Sequence, residues 1–484
     1  MTMWLTDLME IQFAATMLTM TVDLGRRYYG NRRSQVVGVV AVGALVISLA
    51  DFVINWSKSS GSPLSLSPVN SIYASLYSID KYGMLVVFTV LVLGLAVAAY
   101  TAAKMSPREN VGPFYALLLL LVTSTIGVVS AGDFLTLFLF WEVMSISAYG
   151  TVAFRRKDLS LEAAMKYLFL AGSGSLLYLF GVGLVYSVDG SIKLSYLPSL
   201  IQTNGQLGLL ALLMVIIGLG VEAAIFPLHT WLPDAYGAAP VPGSSFLAGA
   251  VTATAVFALL KIVQPIVQST GAPYSSALQG LQLTLVSLAV LTMLIGNLGA
   301  LGQTNLRRLL AYSSVAQVGY MLAALTTLSI LGLVAVVFHI WNQGLVKSSF
   351  FMLTGTSGDE YADAEFDKVR GAGQADRTLG VLYASSSLAM VGSPPFGTFW
   401  SELLIVQSIL SVGTALFFGL ALAVVLNVLL SVVYYFRIIN QVALGSPEAS
   451  PRRARRTLLI PPLVLLLISI LMGIVPSIIL KMIA

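Results

Sequence analysis

Apolar residues in this chain come in long unbroken runs, and polar residues collect in the intervals between them. The runs fall near 8–23, 35–56, 84–103, 112–130, 133–153, 163–187, 207–226, 243–265, 279–301, 309–327, 329–354, 378–412, 415–440 and 457–480. A stretch of about 20 apolar residues spans the hydrocarbon core when wound as a helix. Lipid cannot pair backbone N–H and C=O groups, so such runs must be helices, and a membrane barrel would show short alternating segments instead. The pattern predicts an all-α integral membrane protein with about 14 transmembrane helices. Glu10 and Asp23 weaken the first run, and Pro394 and Pro395 break the twelfth. The longest polar intervals, 57–81, 188–206 and 357–377, are too short for a soluble domain, so residues 1–484 read as a single membrane domain. The acidic stretch GDEYADAEFDKVRGAGQADR reads as a solvated connector rather than a docking site.

Composition agrees. The chain is 57% hydrophobic and 10% charged, against about 25% charged in a globular domain. Without cysteine it can build no disulfide, Cys-ligated cluster or thiolate zinc site. Two histidines are too few for a haem-rich protein. No phosphate-binding loop occurs, and the 42 glycines scattered through apolar runs suit close helix packing. Residues 1–24 lack a basic leading region, so no cleavable signal is expected.

The net charge of +5 is informative through topology. With the N-terminus outside, nineteen cations fall in cytoplasmic loops. They are Arg26, Arg27, Arg32, Arg33, Lys104, Arg108, Arg155, Arg156, Lys157, Arg307, Arg308, Lys368, Arg370, Arg377, Arg437, Arg452, Arg453, Arg455 and Arg456. Four, Lys58, Lys81, Lys193 and Lys481, fall outside. That bias sets both termini on the outer face of the cell membrane. Lys166, Lys261 and Lys347 lie within predicted helices.

A charge at mid-bilayer costs about 3 kcal/mol on insertion scales, and those that persist usually face a bundle interior or water. The candidates are Glu142, Lys166, Glu222, Lys261, Lys347 and Glu402. Glu142 lies nine residues beyond Asp133, about 13 Å along a helix. The bland alternative for it is a protonated carboxyl bonded in the core. His339, Gln343 and Lys347 recur every four residues, placing three polar groups on one helix face, a candidate proton wire or else a helix–helix hydrogen-bonding stripe. Glu402 follows the break GSPPFGTFWSE, and Glu222 precedes Pro227 and His229 in VEAAIFPLHTWLPDA. Two broken helices, one per half, point to inverted repeats and an ion path. Lys166 and Lys261 have a simpler option, snorkelling to the interface. Asp234 suits a cap or turn.

FWEVMSISAYG, EAAMKYLFLAGSGS, FPLHTWLPDAYGAAP, NLRRLLAYSSVAQVGY and GSPPFGTFWSE occur in this order. Together they resemble the antiporter-like membrane subunits of respiratory complex I, of membrane-bound hydrogenases and related reductases, and of Mrp sodium/proton antiporters, over roughly residues 75 to 445. Ending soon after its last helix, the chain is most similar to the shorter, Mrp D-like members. The resemblance implies fourteen helices with two inverted five-helix repeats, here 112–265 and 279–440, flanked by 1–103 and 457–484. It also implies an ion path through Glu142, Lys166, Glu222 and His229 in the first half and His339, Lys347 and Glu402 in the second. Two positions depart from the family. Glu222 stands where a lysine is usual, and Ala253 where a lysine or histidine is usual. If Glu142 and Glu222 are neighbours they repel, so one holds a proton or the pair binds a cation.

The expected function is an H⁺- or Na⁺-translocating subunit of a multisubunit respiratory oxidoreductase or hydrogenase related to complex I. The implied partners are other antiporter-like and small Mrp-like membrane subunits and a peripheral redox arm, with no nucleic acid. No cofactor or metal is expected in this chain, so iron–sulfur or other redox centres would belong to partners. The rival readings are a redox-free Mrp-type antiporter subunit, a structural spacer and a stand-alone solute carrier. The last is disfavoured because no substrate-sized polar cluster lies outside the predicted path.

Overall fold

The computed structural model describes residues 5–24, 33–58, 76–105, 111–198, 205–269, 276–356, 364–446 and 454–483. Arg26, Arg27, Arg32, Arg108, Arg452 and Arg453, and parts of the three polar intervals, lie outside the described residues.

The described chain is nearly all helix. In order the helices are α1 (Leu5–Leu24), α2 (Arg33–Lys58), α3 (Lys81–Lys104), α4 (Val111–Ser130), α5 (Phe134–Val152), α6 (Asp158–Asp189) and α7 (Gly205–Glu222). Then follow α8 (Trp231–Ala238), α9 (Val241–Gln268), α10 (Ser276–Leu301), α11 (Leu306–Leu325) and α12 (Ile330–Thr354). The last are α13 (Arg377–Met390), α14 (Gly397–Leu410), α15 (Ala415–Ile438), α16 (Arg456–Ile474) and α17 (Ser477–Ile483). Among the described residues, ten helices are long and apolar enough to cross a membrane, and two shorter apolar ones flank the proline breaks. The predicted run at 207–226 stops as a helix at Glu222, and the run at 378–412 is two helices separated by Val391–Phe396.

Helix starts are set by short polar side chains that accept from otherwise unpaired amides. Asp80 accepts from the Gly83 amide at 2.8 Å, Asp133 from Thr136 at 2.8 Å, and Asn305 from Arg307 at 3.0 Å. Within the spans, hydroxyls bond back to the preceding turn, as Thr123 does to Leu119 O at 2.8 Å. Hydroxyls paired in this way add no unpaired group to the apolar interior, although Thr254, Ser348, Ser386, Ser387 and Ser469 are buried with no partner among the described residues.

The caps Asp133 and Asn305 hold corresponding places. Asp133 precedes α5 and bridges to Lys193, beyond α6; Asn305 precedes α11 and bridges to Glu365, beyond α12. The backbone bonds match, with Phe134 N to Ile192 O at 2.9 Å and Phe366 N to Thr304 O at 3.0 Å.

Helices α9 and α12 form the centre: 100% and 89% of their spanning windows are buried, against 33% for α15. They meet backbone to backbone. A methyl added to Gly249 would lie 2.9 Å from Gly344 O, and one added to Gly344 would lie 2.8 Å from Gly249 O. Small residues at a crossing permit such an approach.

Gly249→Val should therefore destabilise the protein by about 1–3 kcal/mol through overpacking, read as a lower thermal unfolding midpoint in detergent. Gly43→Ala, with open space around it, should leave the midpoint unchanged or raise it.

Candidate ion path

The first break is held together by its own frame. Beyond Glu222 the chain turns through Ala224 at φ 54, a left-handed conformation that costs an alanine about 1–2 kcal/mol. At the turn the carbonyl of Val221 accepts from the Ala224 amide at 3.0 Å and also from Trp231 Nε1 at 2.8 Å. The Trp231 ring also lies flat on Tyr167, centroids 3.8 Å apart and planes within 6°. Tyr167 in turn donates its hydroxyl to Glu222, and Ser145 Oγ donates to the same carboxyl at 3.3 Å. The WLPDA motif thus aims a tyrosine from α6 at the glutamate that ends α7.

Glu142 is half-buried on α5 and accepts from Ser175 of α6. Ser145 and Tyr149 follow it on the same helix face, and Tyr149 lies within electrostatic reach of both carboxyls. The two acids face the same α5–α6 seam, each with its own hydroxyl donor.

Lys166 is elsewhere. Its side chain is about half exposed and pairs with Glu162 at 2.8 Å and Asp234 at 2.9 Å. Asp234 also binds Arg308 Nη1 at 2.6 Å. One carboxylate therefore clasps α6, α8 and the start of α11. His229 is buried beside Phe226 and Tyr312, with ring centroids at 5.7 and 6.4 Å. Its Nδ1 has no hydrogen-bond partner among the described residues, so the structure does not join it to either acid.

Ala253 is buried, and its neighbour Thr252 is bonded to Tyr236. The one titratable group on α9 is Lys261. Snorkelling is not what Lys261 does. Its amine is buried, donating to Val129 O at 2.6 Å and Ser78 O at 3.2 Å, on the wall of a cavity of about 660 Å³ shared with Asp80 and Gln264. The backbone end of α4 lies within its reach, so the ammonium is satisfied before it gets to bulk water.

The second half is more continuous. Lys347 is fully buried and donates to Leu310 O at 3.1 Å, to Ser313 and to Tyr435 OH at 3.4 Å. None of these acceptors is a carboxylate. Two turns earlier on α12, His339 meets Gln317 Oε1 through Nε2 at 2.7 Å and Ser401 Oγ through Nδ1 at 2.9 Å. Gln343 lies buried between them. Glu402, half-buried on α14, borders a mostly apolar cavity of about 310 Å³ with Tyr320 and Phe399. Gly392, at φ 73, lets the carboxyl pack against the break, where any Cβ would collide with Glu402 Oε2. At the break the carbonyls of Leu388 and Ala389 accept from the Ser393 and Gly392 amides and, in addition, from the hydroxyls of Ser393 and Thr398.

Sequence reasoning missed Gln317, and it missed a network around Asn297. Tyr434 donates to Asn297 Oδ1 at 2.9 Å, and Asn297 Nδ2 donates to Tyr320 OH at 3.1 Å and Asn427 Oδ1 at 3.0 Å. The available signal was a buried amide on each of α10, α11 and α15, inside runs otherwise apolar.

Residues 131–430 match the family described as NADH:quinone oxidoreductase/Mrp antiporter, transmembrane. The NADH-quinone oxidoreductase subunit N of Desulforudis audaxviator is 35% identical over 369 residues, covering 75% of this chain and 72% of that one. The D-type subunit of the Na(+)/H(+) antiporter of Bacillus subtilis is 25% identical over 472 residues, covering 96% and 92%. A chain of the archaeal membrane-bound sulfane sulfur reductase, a respiratory membrane complex, superposes with a TM-score of 0.83 at 27% identity, covering 97% and 96%.

Tyr167→Phe should lower stability by about 1–3 kcal/mol, because it strips a donor from a buried carboxyl. Ser145→Ala, which loses a longer bond, should cost less. Thermal unfolding of the two variants side by side checks this, and equal losses would mean that Glu222 does not lean on Tyr167.

Proposed function

The chain belongs to the NADH:quinone oxidoreductase/Mrp antiporter membrane family, and from that premise we propose that it is an ion-translocating, antiporter-like subunit of a complex I-related membrane assembly. The observation that carries the reading is the polar series of the second half, with Lys347, His339 and Gln317 buried and Glu402 half-buried beside the second break. An ammonium set among neutral oxygens inside a bundle can give up and regain a proton, as buried lysines do. The same ammonium repels a bare cation, so the second half carries protons. Glu402 is the exchange point beside the second break.

Glu142 and Glu222 form the altered first half. With Glu222 and Ala253 in place of the family's basic groups, this half exchanges protons between carboxyls and the hydroxyls of Tyr167, Ser145 and Ser175, or takes up Na⁺. Lys166 acts at the entrance to this half through Asp234, and His229 lines the turn below Glu222. Fourteen crossings in two inverted repeats, 112–265 and 279–440, are supported by the matched bridges at Asp133 and Asn305 and by a proline break in each half. The cation bias supports a cell-membrane orientation with both termini outside.

Redox centres, where the assembly has them, belong to partner subunits, because this chain has no cysteine and only two histidines to offer as ligands. A redox-free antiporter is the second reading, favoured by the match to a D-type antiporter subunit along almost the whole chain.

Purified assembly in vesicles tests the assignment. Glu402→Gln and Lys347→Ala should each cut proton transport at least tenfold, a rise of about 1.4 kcal/mol or more in the barrier. Full transport in both variants would refute the path. Glu222→Gln should change the ratio of Na⁺ to H⁺ dependence, and an unchanged ratio would leave the first half a spacer.

A further inference from the structure

The amide of Asn297, on α10, joins two other helices. Its Nδ2 lies 3.1 Å from Tyr320 OH on α11, and 3.1 Å from Asn427 O and 3.0 Å from Asn427 Oδ1 on α15. Its Oδ1 lies 2.9 Å from Tyr434 OH, also on α15. All four side chains are buried. A backbone carbonyl can only accept, so the end of Asn297 that faces Asn427 O is the NH₂. The Asn427 amide is fixed as well. Its Nδ2 donates to Ala423 O at 2.9 Å, which leaves its Oδ1 for Asn297.

An amide nitrogen donates and does not accept. Tyr320 therefore accepts from Asn297, and Tyr434 donates to it. The hydrogen bonds run one way, from Tyr434 through Asn297 to Tyr320, and the phenol's own proton is left over. Among the described residues it meets no acceptor, and a buried donor left unpaired is costly. The helix that carries the ring has little room to shift, because α11 backs onto α10 at Gly319, where a Cβ would collide with the backbone of Met293. Tyr320 also lines the cavity of about 310 Å³ beside the second break, with Phe399, Leu403, Val424 and Val428. Glu402 is the other polar side chain on its wall, and the two lie within electrostatic reach of each other. A water takes about 30 Å³ in the liquid and settles where polar groups hold it. The cavity has that room, and the phenol and the carboxyl are groups that can hold it.

We propose that Tyr320 is a one-way hydrogen-bond donor to Glu402 across this cavity, through water held between them, with Asn297 fixing its direction. This rests on the second half being an ion path with Glu402 as its exchange point. Tyr320 is a positioning residue. It offers a hydrogen bond to either protonation state of Glu402, and a stronger one to the carboxylate. It passes no proton itself, because a proton handed on by the phenol cannot be replaced from the N–H of Asn297, which does not ionise.

The test uses the assembled complex. Infrared difference spectra, taken where Glu402 holds a proton, follow its C=O band, identified by its loss in Glu402→Gln. Transport is measured in vesicles alongside. Tyr320→Phe should raise the frequency of that band, as a carbonyl does on losing a donor. It should also lower transport about tenfold, roughly the weight of one hydrogen bond to a charged group. Asn297→Asp keeps the tyrosine ring but sets an acceptor beside the phenol, which turns its proton back from the cavity, so the band should move the same way. If that variant does not assemble, Asn297→Leu takes its place, since it frees the phenol to turn to Asn427 Oδ1, with the same change expected. A band left in place by Tyr320→Phe or by the Asn297 variant, with Glu402→Gln still blocking transport, would overturn the one-way donor alone. Intact transport in Glu402→Gln would overturn the path and the donor together.

Discussion

A charge buried among lipid-facing helices has to be solvated by the chain itself, because hydrocarbon offers neither water nor hydrogen bonds. The rest of this structure follows from that requirement. Lys347 is surrounded by a carbonyl and two hydroxyls, Lys261 by two carbonyls, and Glu222 by two hydroxyls. Among the described residues, none of these groups is neutralised by a strong ion pair. A buried pair locked at close range is hard to open without leaving one charge alone. Neutral dipoles solvate either protonation state at smaller cost.

The proline breaks meet the same requirement at the level of the backbone. At each, carbonyls in the apolar zone are taken by backbone amides of the turn and receive a second, side-chain donor as well. Trp231 serves Val221, while Ser393 and Thr398 serve Leu388 and Ala389. In the first half the repair also builds the site, because the indole that caps the carbonyl stacks on the tyrosine that holds Glu222. In the second, a left-handed glycine gives Glu402 its room. Breaks and carboxyls are therefore parts of one construction.

Much of this was legible in the chain. Uniform hydrophobicity marks helices in a membrane because backbone pairing leaves no alternative, and prolines mark breaks because they remove donors. The acids beside the breaks stood out against apolar neighbours. Exposure around the bundle was not legible. Lys166 sits in a run that looks like any other span, and only tertiary packing turns it outward to Asp234. Lys261 lies near a helix end, where length alone predicts water, but the end of α4 intervenes. Gln317 escaped notice because an uncharged amide in a helix carries no insertion penalty large enough to flag it.

The clasp at Asp234 has a mechanical side. It ties α8, beyond the first break, to both α6 and α11, and it is made of partly exposed charges rather than packed apolar surface. Charges exposed to solution are screened over about 8–10 Å at ordinary ionic strength. The packed interior of this protein is therefore shielded from the electrolyte around it, while the clasp joining α6, α8 and α11 stiffens in dilute medium and slackens in brine.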